Sequence, residues 1–146
     1  MIFKSIDLLC DLEGFKASPY LDSKGIPTIG IGSCYYPNGR KVTLKDPAIT
    51  KNQAIEYAKT YINELEKWLS SNLRYKANSN QWDATICFLY NTGLGHFDGT
   101  NAVQWVATKQ AILTGINWVD AVKSIRNNGL LDSRRVKECK LYQKGV

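Results

Sequence analysis

Apolar residues recur at three- to four-residue intervals in several stretches of the chain, and each such stripe predicts an amphipathic helix. In the first stretch Ile2, Ile6, Leu9 and, near them, Leu8 and Cys10 share a face, which predicts a helix over 2–12 that ends near Glu13 with Gly14 as its stop. In the second, Ala54, Ile55, Ala58, Tyr61, Ile62, Leu65, Trp68 and Leu69 form a stripe, while Lys51, Glu56, Lys59, Asn63, Glu64 and Lys67 fall on the wet side. Thr50 and Gln53 supply a capping box at its start. A third helix is predicted over 80–92, capped by Asn78 or Ser79, and the nearly unbroken apolar run from Ala84 to Tyr90 marks it as buried. Further helices are predicted over about 100–114, 117–125 and 132–143, with Gly115 and Gly129 as punctuation.

Between Phe15 and about Lys45 the pattern changes to Gly, Pro, Asn, Asp and aromatic residues around short β-prone runs. Tyr20-Leu21, Thr28 to Ile31 and Arg40 to Thr43 read as small strands, and Asp22 to Gly25 and Pro37 to Gly39 as turns. The sum is a mostly helical α+β protein, with the long second helix reaching from a small β-containing lobe to a larger helical one.

With 146 residues, 44% hydrophobic and 22% charged, the chain is predicted to form a single domain over 1–146 whose core needs no metal or disulfide. The four cysteines, Cys10, Cys34, Cys87 and Cys139, lie far apart and form no Cys-x-x-Cys pair, so buried free thiols in a reducing compartment are expected. The net charge of +6 implies attraction to polyanions. Lys and Arg are scattered, so no nucleic-acid partner is expected. No apolar run of about 18 residues occurs, and Met1 to Cys10 mixes Lys4 and Asp7 into its apolar positions, so neither membrane insertion nor an export signal is predicted. His96 is the only histidine, which excludes a histidine-based metal cluster, and its Gly-His-Phe-Asp setting reads as a loop. Gly30-Ile31-Gly32 begins like a dinucleotide fingerprint, but Tyr35 stands where the third glycine belongs; strand glycines that admit a close approach, of a sugar for example, fit better. The four tryptophans sit at helical positions where core packing is the default, with Trp105 and Trp118 also open to stacking on a sugar or packing near a groove.

Two carboxyls stand out because Glu13 closes a helix and Asp22 tops a turn, so the chain reversal between them can place both across one groove, with Thr28 facing the same space. Cofactor-free cleavage of a glycosidic bond requires such a pair: an acid for the leaving oxygen and a carboxylate that activates water or attacks. Each residue taken alone also fits an ordinary role. Glu13 fits a solvated helix end, Asp22 an Asp-x-x-Gly turn and Thr28 an exposed strand position.

The register around these residues is more specific: Glu13-Gly14, Tyr20-Leu21-Asp22, Gly25 and Thr28-Ile29-Gly30-Ile31-Gly32, with Asp22 nine residues after Glu13 and Thr28 six after Asp22. This resembles the phage-type lysozymes, glycoside hydrolase family 24, which include the lysozyme of T-even bacteriophages. Gln81-Trp82-Asp83-Ala84 with Phe88 to Gly93 resembles the family's central helix and the turn after it, and Gly129 to Arg135 with Glu138 resembles its closing helix. The resemblance implies a lysozyme-like fold. A β-containing lobe (13–50) would join a helical lobe (51–146), with helix 2–12 packed on the helical lobe and an active-site cleft between the lobes. It implies a muramidase that hydrolyses the β-1,4 bond between N-acetylmuramic acid and N-acetylglucosamine in peptidoglycan, with inversion. By position, Glu13 is the general acid, Asp22 the general base or electrostatic stabiliser and Thr28 the holder of the attacking water. Desolvation favours a protonated carboxyl and a polar turn an ionised one, which suits this division. Tyr90 and Asn91 would line the sugar groove, Arg134 would lie near Glu13, and Gly30 and Gly32 would support the site.

The implied partner is the peptidoglycan glycan strand. The protein would act as a monomer without cofactor or metal, held in the host cytoplasm until a separate holin releases it to the wall from the periplasm, causing lysis. A bacterial toxin or tail-associated lysozyme would share this chemistry. A non-catalytic wall-binding module is the alternative of a different class, and the intact Glu13, Asp22 and Thr28 stand against it. One departure is Ser33, where the family often has His.

Overall fold

A computed structural model of the chain describes residues 1–97, 103–125 and 131–144. Two compact units are found, Ser5–Glu64 and Met1–Lys4 with Leu65–Val146.

The Ser5–Glu64 unit begins with helix α1, Ile6–Glu13. It starts four residues later than the apolar stripe predicts. The amide of Phe3 donates to the Glu66 carboxylate at 3.0 Å and that of Lys4 to the Asp83 carboxylate at 3.2 Å, so this segment's donors are used outside any helical turn. Gly14, at φ 73°, ends α1 as expected, donating its N–H to Cys10 O. Strands β1, Lys16–Leu21, and β2, Pro27–Gly30, pair antiparallel, with Tyr20 opposite Thr28 and Leu21 opposite Pro27.

The third strand expected over 40–43 does not form; that segment makes an isolated bridge between Tyr35 and Lys41. Its backbone is organised by a side chain instead. Asp46 accepts from the Thr43 amide (2.9 Å) and hydroxyl (2.7 Å), from the Tyr36 hydroxyl (2.7 Å) and from Arg40 (3.3 Å). Such bonds compete with a sheet ladder for the same backbone groups. They also hold the Asp46 carboxyl well below the ordinary carboxylate range, the Thr43 amide contributing most.

Helix α2, Lys51–Asn72, opens on the expected capping box: Thr50 N donates to Gln53 Oε1 at 2.9 Å, and Gln53 N to Thr50 Oγ1 at 3.1 Å. Within the unit, Leu9, Ile29, Ile31, Val42, Ala54, Ala58 and Ile62 are buried. Gly30 is required where β2 meets α2. A Cβ there would lie 3.0 Å from Ala54 Cβ and 3.2 Å from Ile49 Cδ1, so the close approach predicted for this glycine is made by the protein's own helix.

In the other unit, helix α3, Ser79–Thr92, buries every residue from Trp82 to Tyr90. Asn78 and Gln81 form a reciprocal capping box at its start, and Gly93 ends it. A 3-10 turn, Leu94–His96, follows, then α4 (Val103–Thr114), α5 (Trp118–Lys123) and α6 (Asp132–Gln143). Helix α6 packs on α3 and α5, and α5 on α4. The predicted start of the fourth helix at Thr100 and the punctuating Gly129 lie outside the described residues. Trp118 is buried with its ring stacked on Tyr142, centroids 3.9 Å apart, which places it in the core and covers the face a sugar would use. Trp105 meets Phe97 edge-on at 5.6 Å, and Phe97 in turn meets Trp68. All four cysteines are free thiols, with Cys87 and Cys139 buried and Cys10 and Cys34 half-buried.

Candidate active site

Glu13, Asp22 and Thr28 all lie in the Ser5–Glu64 unit, each placed by a different local device. Glu13 is the last residue of α1 and half-buried. Its carboxyl rests directly on Gly32: a Cβ at that glycine would stand 2.7 Å from Glu13 Oε1 and 3.2 Å from Cδ. Gly32 also has φ 70°, a backbone state unfavourable to residues with a side chain. The second glycine of Gly30-Ile31-Gly32 therefore makes the seat for the acid.

Asp22 heads the turn between β1 and β2. Its Oδ1 accepts from the amides of Lys24 (2.8 Å) and Ile26 (2.9 Å), while its own amide donates to Ile26 O at 3.0 Å. Both side-chain bonds fall on one oxygen, so Oδ2 stays outside the turn. Thr28, opposite Tyr20 on the hairpin, is 2% exposed. Its hydroxyl donates to Ile26 O at 2.8 Å and lies 3.7 Å from Cys34 Sγ.

Electrostatics shows that these groups share one neighbourhood. Burial pushes the Tyr20 hydroxyl up, and the charges of Glu13, Asp22 and Cys34 add to it. Burial also pushes the Cys34 thiol up, and the charges of Asp22 and Glu13 raise it further. Tyr61 is pushed up to about 12 by burial, with Glu64, Cys34 and Glu13 contributing. The charges of both carboxyls thus act on Tyr20 and on Cys34. Neither was given a role at the site from the sequence, although Tyr20 stands in the Tyr20-Leu21-Asp22 register. Tyr20 carried a usable signal, standing two residues before Asp22 at the end of β1; Cys34 carried none.

The remaining predicted residues lie in the other unit. Tyr90 is buried in α3, and Asn91 is half-buried with its Oδ1 accepting from Arg135 at 2.5 Å. Arg134 is buried, donating through Nε to Glu138 Oε2 at 3.0 Å and through Nη2 to Cys87 O at 2.6 Å. Arg135 donates to the other Glu138 oxygen and to Ile125 O. Burial pushes the Glu138 carboxyl up, against the pull of Arg135 and Arg134. The Arg134-Arg135-x-x-Glu138 spacing puts these charges three and four residues apart on one helix, a signal for this cluster visible in the sequence. Ser33, in the position where His was expected from the resemblance, is buried and bridges Ile29 through reciprocal backbone bonds of 3.0 and 2.9 Å. Among the described residues no group of three or more His, Cys, Asp or Glu side chains could hold a metal ion.

The phage lysozyme family model matches residues 10–138, which includes every site position above. The chain belongs to the phage lysozyme family. It is 29% identical over 130 residues to the endolysin of Salmonella phage P22, covering 89% of this chain and 88% of that protein. It is 27% identical over 146 residues to the endolysin of Bacillus phage PZA, covering 97% of this chain and 54% of that one. Among solved structures, a point mutant of the P22 lysozyme matches with a TM-score of 0.70 and 29% identity, over 97% of this chain and 98% of that one. The endolysin of Escherichia coli O157:H7 phage FAHEc1 matches with a TM-score of 0.75 and 22% identity, over 100% and 96% of the respective chains, a likeness of fold. The fold is thus the mostly helical lysozyme-like one with a small two-stranded sheet.

Proposed function

We propose that this lysozyme cuts the β-1,4 bond between N-acetylmuramic acid and N-acetylglucosamine by direct, inverting attack of water. Glu13 serves as general acid, Asp22 as general base and Thr28 as the holder of the water. Family membership and the endolysin relatives make the chain a peptidoglycan-hydrolysing enzyme. The observation that carries the proposed roles is the geometry of the hairpin: Asp22 is held in the turn through Oδ1 by the amides of Lys24 and Ile26, the Ile26 carbonyl takes the Thr28 hydroxyl, and Glu13 rests on Gly32 just past β2.

In the step itself Glu13 gives its proton to the glycosidic oxygen as that bond breaks, water adds to the anomeric carbon, and Asp22 takes a water proton through Oδ2. Exchange with solvent then restores both carboxyls. Tyr90 and Asn91 contact the glycan, Arg134 helps to orient Glu13, and Gly30 and Gly32 support the site by the close approaches they permit. No cofactor takes part.

The protein works as a monomer in host lysis. It stays in the host cytoplasm until a separate holin opens the way to the wall. Among the described residues no helix is long and apolar enough to cross a membrane, in keeping with delivery by another protein. The net charge of +6 favours capture by anionic wall polymers.

Proton NMR of the earliest products, read before mutarotation, tests the mechanism: the new reducing end is expected first as the α anomer. An initial β anomer would reject inversion, and an anhydro sugar end would replace hydrolysis with lytic transglycosylation.

A further inference from the structure

A hydroxyl has one proton and two lone pairs, so its partners can be assigned by counting. The Thr28 proton is committed to the Ile26 carbonyl, which can only accept, at 2.8 Å. The contact between Thr28 Oγ1 and Cys34 Sγ at 3.7 Å therefore needs the thiol as donor. One Thr28 lone pair then remains, and it can only accept.

We infer that Cys34 is a positioning residue for hydrolysis: its S–H bond to Thr28 Oγ1 fixes the Thr28 hydroxyl as an acceptor toward the attacking water. The inference rests on the roles proposed above for Glu13, Asp22 and Thr28. A water whose two hydrogens are accepted by Asp22 Oδ2 and Thr28 Oγ1 keeps a lone pair for the anomeric carbon. A hydroxyl turned the other way would donate to the water and compete for that lone pair. During the step one water proton passes to Asp22, the Glu13 proton passes to the leaving oxygen, and Thr28 and Cys34 keep their own protons.

The surroundings support this assignment. Ile26 O also accepts the Asp22 amide at 3.0 Å, and Asp22 Oδ1 accepts the Ile26 amide at 2.9 Å. Cys34, Thr28, Ile26 and Asp22 thus form one chain of hydrogen bonds that sets the water holder and the base in a fixed relation. Cys34 is itself anchored, its carbonyl accepting from Val42 N at 2.9 Å. Burial, with Asp22 and Glu13 nearby, keeps its thiol protonated and able to donate.

The test compares Cys34→Ala, which lacks a donor, with Cys34→Ser, which has one, on a soluble glycan fragment. Cys34→Ala is expected to lower kcat roughly three- to ten-fold with KM unchanged, the range set by one modest hydrogen bond. Cys34→Ser should stay within about two-fold of the parent, and in the Thr28→Val background Cys34→Ala should cost nothing further, since both act through one hydroxyl. Equal kcat in Cys34→Ala and the parent, or equal loss in Ala and Ser, would overturn the inference while leaving Thr28 in place. Full activity of Thr28→Val would instead remove Thr28 from the mechanism and the inference with it.

Infrared spectroscopy gives a readout that does not require Cys34→Ala to fold. The S–H stretching band, isolated by subtracting Cys34→Ser from the parent, should lie below that of a free thiol and rise in Thr28→Val. A band that does not move would overturn the donor assignment.

Discussion

The two units hold their functional charges in opposite ways. In Ser5–Glu64, Asp22 stays near the surface and is held by the backbone of its own turn, and Glu13 rests on a glycine. In the helical unit Glu138 is fully buried, its two oxygens taken by Arg134 and Arg135. The Asp22 carboxylate is held through one oxygen by the amides of its own turn, whereas both oxygens of Glu138 are taken by guanidiniums. Removing the first kind should cost activity, and removing the second should cost stability.

The largest effect should come from Glu13→Gln, which keeps the shape but cannot donate a proton. Clearing of cell walls is expected to fall by about 10²–10⁴-fold with the melting temperature unchanged. Near-normal clearing would remove Glu13 from the mechanism. Glu138→Ala should do the reverse: removing the carboxylate that two buried guanidiniums share is expected to cost about 3–5 kcal/mol in denaturant unfolding. A variant that unfolds like the parent would show that the cluster does not hold this unit.

Asp22 sharpens the contrast, because it has both a turn role and a proposed chemical role. Asp22→Asn keeps an acceptor for Lys24 and Ile26, so stability should hold while activity falls at least about 10²-fold. Asp22→Ala should lose the same activity and, in addition, about 1 kcal/mol of stability with the turn bonds. Equal stability in the two variants would mean that the turn does not depend on this side chain.

The smallest effect concerns Asp46, whose carboxyl is held below its ordinary range by the Thr43, Tyr36 and Arg40 donors. A depressed carboxyl adds stability above its unfolded pKa, about 4, and that stability is lost as pH falls below it. Melting temperatures taken from neutral pH downward should therefore drop on acidification more steeply for the parent than for Asp46→Asn. Parallel curves would place the acid sensitivity elsewhere.

Local grammar was legible wherever partners lie close in sequence. The Thr50 capping box, the Gly14 stop and the Asp22 turn each depend on residues within a few positions and formed as predicted, and of the two expected caps of α3, Asn78 or Ser79, it is Asn78 that caps. The start of α1 and the missing third strand were not legible. The first depends on Glu66 and Asp83, far along the chain, and the second on Asp46 collecting donors that a strand pattern cannot reveal.

The same division runs through the site. The sequence alone determined the helix end at Glu13, the hairpin turn at Asp22 and the register that places Thr28 on the next strand, because period and turn chemistry act over short range. Only the tertiary structure decided that Gly30 would meet Ala54, that Gly32 would seat the Glu13 carboxyl, and that Cys34 would reach the Thr28 hydroxyl. Those contacts join groups brought together by packing, and packing follows from how whole surfaces fit, which no local pattern of residues encodes.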